Sequence, residues 1–348
     1  YWMDQDLGYP LECHIEGPKY NSVRLILSDH LVRGVVYTLE IQEGLLACDG
    51  SSAEGLSQLF ALPDPIEKGD LVFNEVLFDA AIDDGEYVEL VNRSSKILET
   101  SGLSISRIKI NQYDTSWYTV DLNGALLFPQ DYIAYSPSAS QVLKVYYSEN
   151  PGHIISLADL PDLPNSEGHL ILHLSSSPDY IIDELQYDES MHHSLLRVTK
   201  GVSLEKINLY GGNEVSNYHS AASSVNYGTP AYQNSQFLEE KTAKSAFEIS
   251  PEIFSPDNDG FEDILQINYQ MNEVGYQLNL IIYDSRGRKI KHLVQNELLG
   301  TEGVFFWDGQ DEDFQNADLG IYILWFEYFD LQGKVGTEKL TTVLGGRL

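Results

Sequence analysis

The stretch Glu86-Tyr87-Val88-Glu89-Leu90-Val91 decides the fold. Side chains of an extended backbone alternate between faces. Tyr87, Glu89 and Val91 therefore share one face, and Val88 and Leu90 share the other. Asp83-Asp84-Gly85 just ahead of it is a turn signal. The same pattern of short apolar runs punctuated by Gly, Pro, Asn and Asp extends in both directions. It is clear in Leu71-Val72-Phe73-Asn74-Glu75-Val76-Leu77, in Tyr132-Ile133-Ala134-Tyr135, in His169-Leu170-Ile171-Leu172-His173-Leu174 and in Ile181-Ile182-Asp183-Glu184-Leu185-Gln186-Tyr187. No amphipathic helix longer than a few turns is expected. The reading is all-β, with residues 70–236 forming one β-sandwich.

The flanking segments read the same way. In residues 1–66, strands at Val23-Arg24-Leu25-Ile26-Leu27 and at residues 35–41 are separated by the turn Arg33-Gly34. They are too few to close a sandwich, so this piece reads as the C-terminal part of an Ig-like domain. Tyr1-Trp2-Met3 then reads as the continuation of something longer or as a mature end after processing. Residues 63–69 read as a linker or a stiff crossing. Residues 237–247 are polar and read as a linker. A third β-domain spans 248–348, with a hairpin turning at Asp284-Ser285-Arg286-Gly287-Arg288 and later strands at residues 305–309 and 320–328.

Composition narrows the function. Lys plus Arg number 21 against 53 Asp plus Glu, a formal charge of -32. Phosphate backbones and anionic lipids repel such a chain, which excludes nucleic acid as a partner. No apolar run approaches the roughly 18 to 20 residues that span a bilayer, so direct membrane insertion is not expected. The two cysteines, Cys13 and Cys48, lie together in the N-terminal β-unit and are expected to pair in an oxidising compartment.

At the entrance of the third domain stands Phe254-Ser255-Pro256-Asp257-Asn258-Asp259-Gly260-Phe261-Glu262-Asp263. Hard cations need several oxygens on a tightly bent backbone, and glycine permits the bend. Asp257, Asn258, Asp259 and Asp263 are thus candidate ligands for a structural Ca²⁺. The competing reading is an acidic turn that caps the following strand. The loop lacks the twelfth-position Glu and the flanking helices of an EF-hand. A second acidic loop, Asp308, Asp311, Glu312 and Asp313, follows Trp307 and reads mainly as solvated.

Nothing reads as catalytic. There is no G-x-S-x-G elbow, no H-E-x-x-H and no phosphate loop. His192 and His193 in Asp188-Glu189-Ser190-Met191-His192-His193-Ser194 are adjacent, would point to opposite faces of a strand, and read as a surface loop. Tyr218 and His219 read as packing. Asp83, Asp84, Glu86 and Glu89 read as structural rather than as a glycosidase pair. Trp117, Tyr118 and Trp307 are candidate sugar-stacking platforms, with core packing as the alternative.

Several of these stretches carry a resemblance. Phe73-Asn74-Glu75-Val76, residues 86–94 and Ser101-Gly102-Leu103 resemble the opening of the lamin tail domain. The likeness to the branch found in Bacteroidota continues through residues 160–165, Gly168-His169-Leu170 and residues 201–207. It ends at residues 217–222 and at Gly228-Thr229-Pro230-Ala231-Tyr232-Gln233-Asn234-Ser235. The third domain resembles the FlgD-like Ig domain and the C-terminal modules of gliding-motility and type 9 secretion proteins, with Asp257 where Asn is usual. The resemblance implies tandem Ig-like β-sandwiches with no catalytic set, in a secreted or outer-membrane cell-surface protein. It implies protein partners, among them type 9 secretion components, with the chain as cargo or accessory subunit. An ancillary tail of a secreted hydrolase or nuclease, or a carbohydrate-binding module, are the other readings.

Overall fold

The computed structural model describes residues 1–346 except 19, 21, 42–44, 47–51, 54–55, 84, 111–114, 239–245 and 258. The chain is all-β, in Ig-like β-sandwiches. Its longest helix among the described residues is Ala139–Val145, and no helix there is long and apolar enough to cross a membrane.

The middle unit stacks two sheets. One has six strands, in the order Ile154–Ser156, Tyr132–Ser136, Tyr87–Asn92, Leu71–Leu77, Leu204–Lys206 and Tyr218–Ser220. The other has four, in the order Thr115–Asp121, Leu103–Ile110, Glu167–Leu174 and Ser177–Asp188. Val88 and Leu90 point between the sheets, where they pack with Phe73, Ile105, Leu170, Leu172 and Leu204 in a fully buried core. Each such side chain contributes about 1.5–3 kcal/mol by leaving water.

Every residue of Tyr87–Asn92 is buried, not only one face. The Tyr87 and Glu89 face is covered by the helix Ala139–Val145 and by the returning segment after Tyr218, with Tyr146 and Ala231 packed against Tyr87. Val91 is sealed from the same side with Val72 and Leu209. This second cover, outside the two sheets, creates the polar site described below.

The third unit pairs a three-stranded sheet (Phe247–Ser250, Leu265–Gln270, Glu302–Trp307) with a five-stranded one. The five run Ile253–Phe254, Val335–Leu344, Gly320–Phe329, Gln277–Asp284 and Lys289–Leu298. Trp307 is fully buried at their centre, edge-on to Tyr322 with ring centroids 5.0 Å apart, and its indole N–H donates to the Gln310 carbonyl at 2.8 Å. The hairpin expected at 284–288 forms, with Asp284 Oδ1 accepting from the Arg286 and Arg288 amides. Phe247, placed in the linker by the sequence reading, is instead a buried core residue stacked on Phe326 at 4.1 Å. Phe237 packs beside Val72 and Val91 and Ala246 against the core of the third unit, while 239–245 lie outside the described residues.

Three tyrosines face glycines directly across a ladder: Tyr187 and Gly168, Tyr269 and Gly303, Tyr328 and Gly336. In each pair the ring occupies the space that a Cβ on the glycine would need. A glycine weakens a strand, and a cross-strand aromatic lying over it restores apolar contact. The N-terminal unit is slighter. Its three-stranded sheet (Trp2–Met3, Val36–Ile41, Leu56–Ala61) buries Met3, Leu7 and Tyr37, beside a separate hairpin of Glu12–Glu16 and Ser22–Ile26.

Candidate functional site

The acidic loop brings Asp257, Asp259 and Asp263 together, with a carboxylate oxygen from each lying within 4.8 Å of the others. Asp257 and Asp259 are exposed and Asp263 is half-buried. The bend is made by Gly260 at φ +88°, a left-handed conformation that suits glycine. Asp257 Oδ1 accepts from the Asp259 amide at 3.2 Å, Asp259 Oδ1 from the Phe261 amide at 2.9 Å, and Asp263 Oδ2 from the Gly260 amide at 2.8 Å. Three like charges on one small loop repel each other. An oxygen-ligated divalent cation would relieve that repulsion, and the donor set suits Ca²⁺. Asn258 lies outside the described residues.

The second acidic loop is otherwise engaged. Asp311 Oδ1 accepts from the Asp313 and Gln315 amides, and Glu312 pairs with Lys289 at 3.1 Å. Cys13 is exposed on Glu12–Glu16, and Cys48, its expected disulfide partner, lies outside the described residues. Trp307 is buried and cannot stack on a sugar. The side chain of Trp117 lies outside the described residues, while Tyr118 is exposed beneath the Arg107 guanidinium, 5.2 Å from its ring centroid.

A more unusual constellation escaped the sequence reading as a site. Glu89, Glu75 and Glu205 sit directly opposite one another on three adjacent strands, through the pairs Glu75↔Glu89 and Glu205↔Glu75. All three are fully buried. Like charges facing each other across strands destabilise a sheet, and burial raises the cost. The returning segment supplies the compensation. Glu89 accepts from Asn74 Nδ2 at 2.7 Å and from the Ala231 amide at 2.5 Å. Glu75 Oε1 accepts from the Tyr87 hydroxyl at 2.7 Å, from the Thr229 amide at 3.0 Å and from the Ser203 hydroxyl. Glu205 Oε2 accepts from the Ser235 hydroxyl and the Gln236 amide, both at 2.8 Å. Asn234 closes the group by pairing its amide with that of Asn74.

The Thr229 hydroxyl bears on the proton count. It lies 2.8 Å from Glu205 Oε1 and 3.2 Å from Glu75 Oε2, but it has one hydrogen to give. A proton on one of the two carboxyls lets the hydroxyl accept from it and donate to the other, and this is the arrangement the two distances favour. Glu75 already collects three donors on its other oxygen and Glu205 only two, which places the proton on Glu205. Burial first, and then the charge of Glu75, push Glu205 up to about 8. Burial also raises Glu75, against the pull of its donors. Burial and then Glu75 raise Glu89 well above its ordinary value too, but only donors face its two oxygens, and that geometry argues for its charged form. The residues that meet here came from four separate stretches of the resemblance: Phe73–Val76, 86–94, 201–207 and 228–235. The signal in the sequence was a Glu flanked by strand residues on both sides, in Val88-Glu89-Leu90.

The histidines do not form the surface loop that was expected. His192 and His193 are buried. The Ser220 hydroxyl contacts His192 Nδ1 at 3.0 Å and accepts from the His193 amide at 2.9 Å, which draws both residues inward. His193 Nε2 donates to the Gly275 carbonyl of the third unit at 3.2 Å, and its ring stands edge-on to His219 at 5.3 Å. Burial lowers His192 and His219 to about 4, and lowers His193 as well. Around them the two units hold one another. Gln236 Nε2 donates to the Leu299 carbonyl at 3.1 Å, the Thr301 amide donates to the Ser235 carbonyl at 2.8 Å, and the Ser223 hydroxyl donates to the Leu298 carbonyl at 3.0 Å.

Neither a family model nor a curated protein matches the chain. Among solved structures it is similar to PorZ, a surface component of the type-IX secretion system of Porphyromonas gingivalis, at 12% identity and TM-score 0.24. That likeness covers 98% of this chain but 39% of PorZ. It is also similar to a Ca²⁺-stabilized adhesin of an Antarctic bacterium that binds ice, at 9% identity and TM-score 0.19, covering 90% of this chain and 57% of the adhesin. A third similarity is to dimeric latent PorU from Porphyromonas gingivalis, at 10% identity and TM-score 0.22, covering 86% of this chain and 36% of that one. At such scores these likenesses carry no argument about function, and the fold rests on the sheets described above.

Proposed function

We propose that the chain is a non-catalytic, multi-domain interaction protein of the bacterial surface, in which residues 70–236 are a lamin tail domain and residues 248–348 a FlgD-like Ig domain. One observation carries the non-catalytic reading. The strongest cluster of perturbed carboxylates, Glu75, Glu89 and Glu205, is sealed inside the sandwich and spends its hydrogen bonds on the chain's own returning segment. A catalytic acid or base needs reach to a substrate, and these groups have none. What remains accessible is sheet edges, loop ends and an acidic surface, the features through which Ig-like modules dock onto partners.

In this reading the protein is cargo or an accessory subunit of the type 9 secretion or gliding system, and Ca²⁺ on Asp257, Asp259 and Asp263 stiffens the entrance to the C-terminal domain. The test is an affinity pull-down of the tagged chain from its native envelope, in Ca²⁺ and in chelator, with mass spectrometry of what is retained. Recovery of outer-membrane secretion components supports the reading, and their loss in chelator assigns the loop a part in docking. Recovery of the chain alone sinks it in favour of a detached tail of a secreted enzyme or a glycan binder.

A further inference from the structure

Lys206 is fully buried, yet among the described residues no carboxylate is hydrogen-bonded to its ammonium. Its Nζ reaches the Gly212 carbonyl and the Tyr218 hydroxyl, both at 3.1 Å, and the side-chain carbonyl oxygen of Asn213. The Tyr218 ring lies beneath it, with the centroid 4.7 Å from Nζ. Asn213 is gripped from its other end, where its Nδ2 donates to Asp183 Oδ1 at 2.7 Å and to the Glu184 carbonyl. The Tyr218 hydroxyl also lies 3.0 Å from Asn213 Oδ1. A buried amine thus meets the oxygen of a carboxamide whose nitrogen rests on a carboxyl group.

We propose that Lys206 and Asn213 are joined by an intramolecular isopeptide bond, formed with Asp183 as proton carrier. The carbonyl carbon lies one C=O bond, about 1.2 Å, beyond the oxygen that Nζ already contacts. A small rotation of the lysine tip brings it to the ~3–3.5 Å of a near-attack arrangement. The neutral amine attacks Cγ, and the Tyr218 hydroxyl, whose one hydrogen has the Phe73 carbonyl at 3.1 Å as its other acceptor, turns to Oδ1 as charge develops there. The new bond is Nζ–Cγ and the broken bond is Cγ–Nδ2. One amine proton passes through Asp183 to Nδ2, which leaves as ammonia. Lys-NH₂ and Asn-CONH₂ therefore give one secondary amide and NH₃, with no oxidant, reductant or cofactor.

The surroundings suit both partners. Burial lowers Lys206 to about 8, against the pull of Asp183, so a neutral amine is accessible near physiological pH. Burial raises Asp183, although the Phe73 amide and Lys206 hold it down, and a more basic carboxylate is better able to take the amine's proton and pass it on. Arg93 and Glu214 are the other charges that Lys206 feels, and they act in opposite directions.

The test is the intact mass of the full chain under denaturing conditions. The bond removes one ammonia, so the chain is expected about 17 Da below its sequence mass. Trypsin should fail after Lys206 and yield a peptide branched to Asn213. Lys206→Arg keeps the charge but is a far poorer nucleophile, and it should restore the full mass, as should Asp183→Asn. A wild-type chain at full sequence mass overturns the proposal. So does a deficit that survives in Lys206→Arg, which would mark cyclisation of another side chain.

Discussion

Replacing one end of the buried glutamate row with glutamine should stabilise the protein at alkaline pH, and replacing the other end should harm it at every pH. Glu205 is assigned the proton, so Glu205→Gln keeps the pattern. The new amide N–H donates to the Thr229 hydroxyl, and the amide oxygen still accepts from Ser235 and Gln236. Glu89 is faced only by donors, Asn74 Nδ2 and the Ala231 amide, and the reciprocal pairing of Asn74 with Asn234 prevents a flip. In Glu89→Gln one N–H must meet another, at a cost of about 1–3 kcal/mol.

The pH dependence follows with its sign. Glu205 is raised in the folded state, from its ordinary 4.5 to about 8. Its contribution is whole below about pH 4.5 and is lost as pH rises towards 8, because unfolding then releases a proton that folding retains. The slope is at most about 1.4 kcal/mol per pH unit, so a wild-type loss of a few kcal/mol by pH 8 is the expected order. Glu205→Gln removes that loss. Hydrogen exchange of the 221–237 segment at pH 5.5, 7 and 8.5 reads the effect locally, and thermal melts read it globally. Parallel pH profiles for wild type and Glu205→Gln would refute the proton assignment. So would a Glu205→Gln variant that is less stable than wild type at pH 8.5.

Other expectations are independent of this one. Calcium should raise the melting temperature of the third unit, by an amount corresponding to about 2.7 kcal/mol at a hundredfold excess over Kd, and Asp259→Asn should abolish most of the rise; equal melts in calcium and chelator count against the loop as a cation site. His192 and His219 are depressed to about 4, so their contribution is present above about pH 6.5 and is lost as pH falls towards 4. Acidification should accordingly increase exchange at the Gly275 contact before either core melts, and unchanged protection there at pH 4.5 would exclude the histidines as its support. Gly275→Ala places a Cβ 2.8 Å from His219 Nε2 at φ +81°, so it should loosen the same contact at neutral pH, checked by limited proteolysis at residues 237–247. Trp307→Ala should cost about 3–5 kcal/mol, read by chemical denaturation of the third unit.

The strands were largely legible because alternation and turn residues report local geometry. Leu71–Leu77 coincides with its expected span, and the 284–288 hairpin forms at the turn its glycine marks. The acidic loop was equally local, since Asp257, Asp259 and Asp263 lie within seven residues. The glutamate row was not legible from any one strand. Its members are brought together by register across three strands, and apart from Asn74 and Tyr87 their donors arrive from more than a hundred residues beyond Glu89. The histidines misled for a related reason. Alternation within 188–194 says nothing about Ser220 and Gly275, which bury them from other parts of the chain.

The segment that neutralises the glutamate row has a consequence for synthesis. Thr229, Ala231, Ser235 and Gln236 are among the last residues of the middle unit to leave the ribosome, yet the strands they protect begin at Leu71. Until those residues emerge, the row is three carboxylates with much of their donor set missing, under a face that only the helix Ala139–Val145 and Tyr146 partly cover. Closure of the middle unit is therefore timed by its own C-terminal end. Ser235 and Gln236 then present a carbonyl and an amide to Thr301 and Leu299. Completing one unit thus prepares the seat on which the next one settles, and the order of emergence becomes the order of assembly.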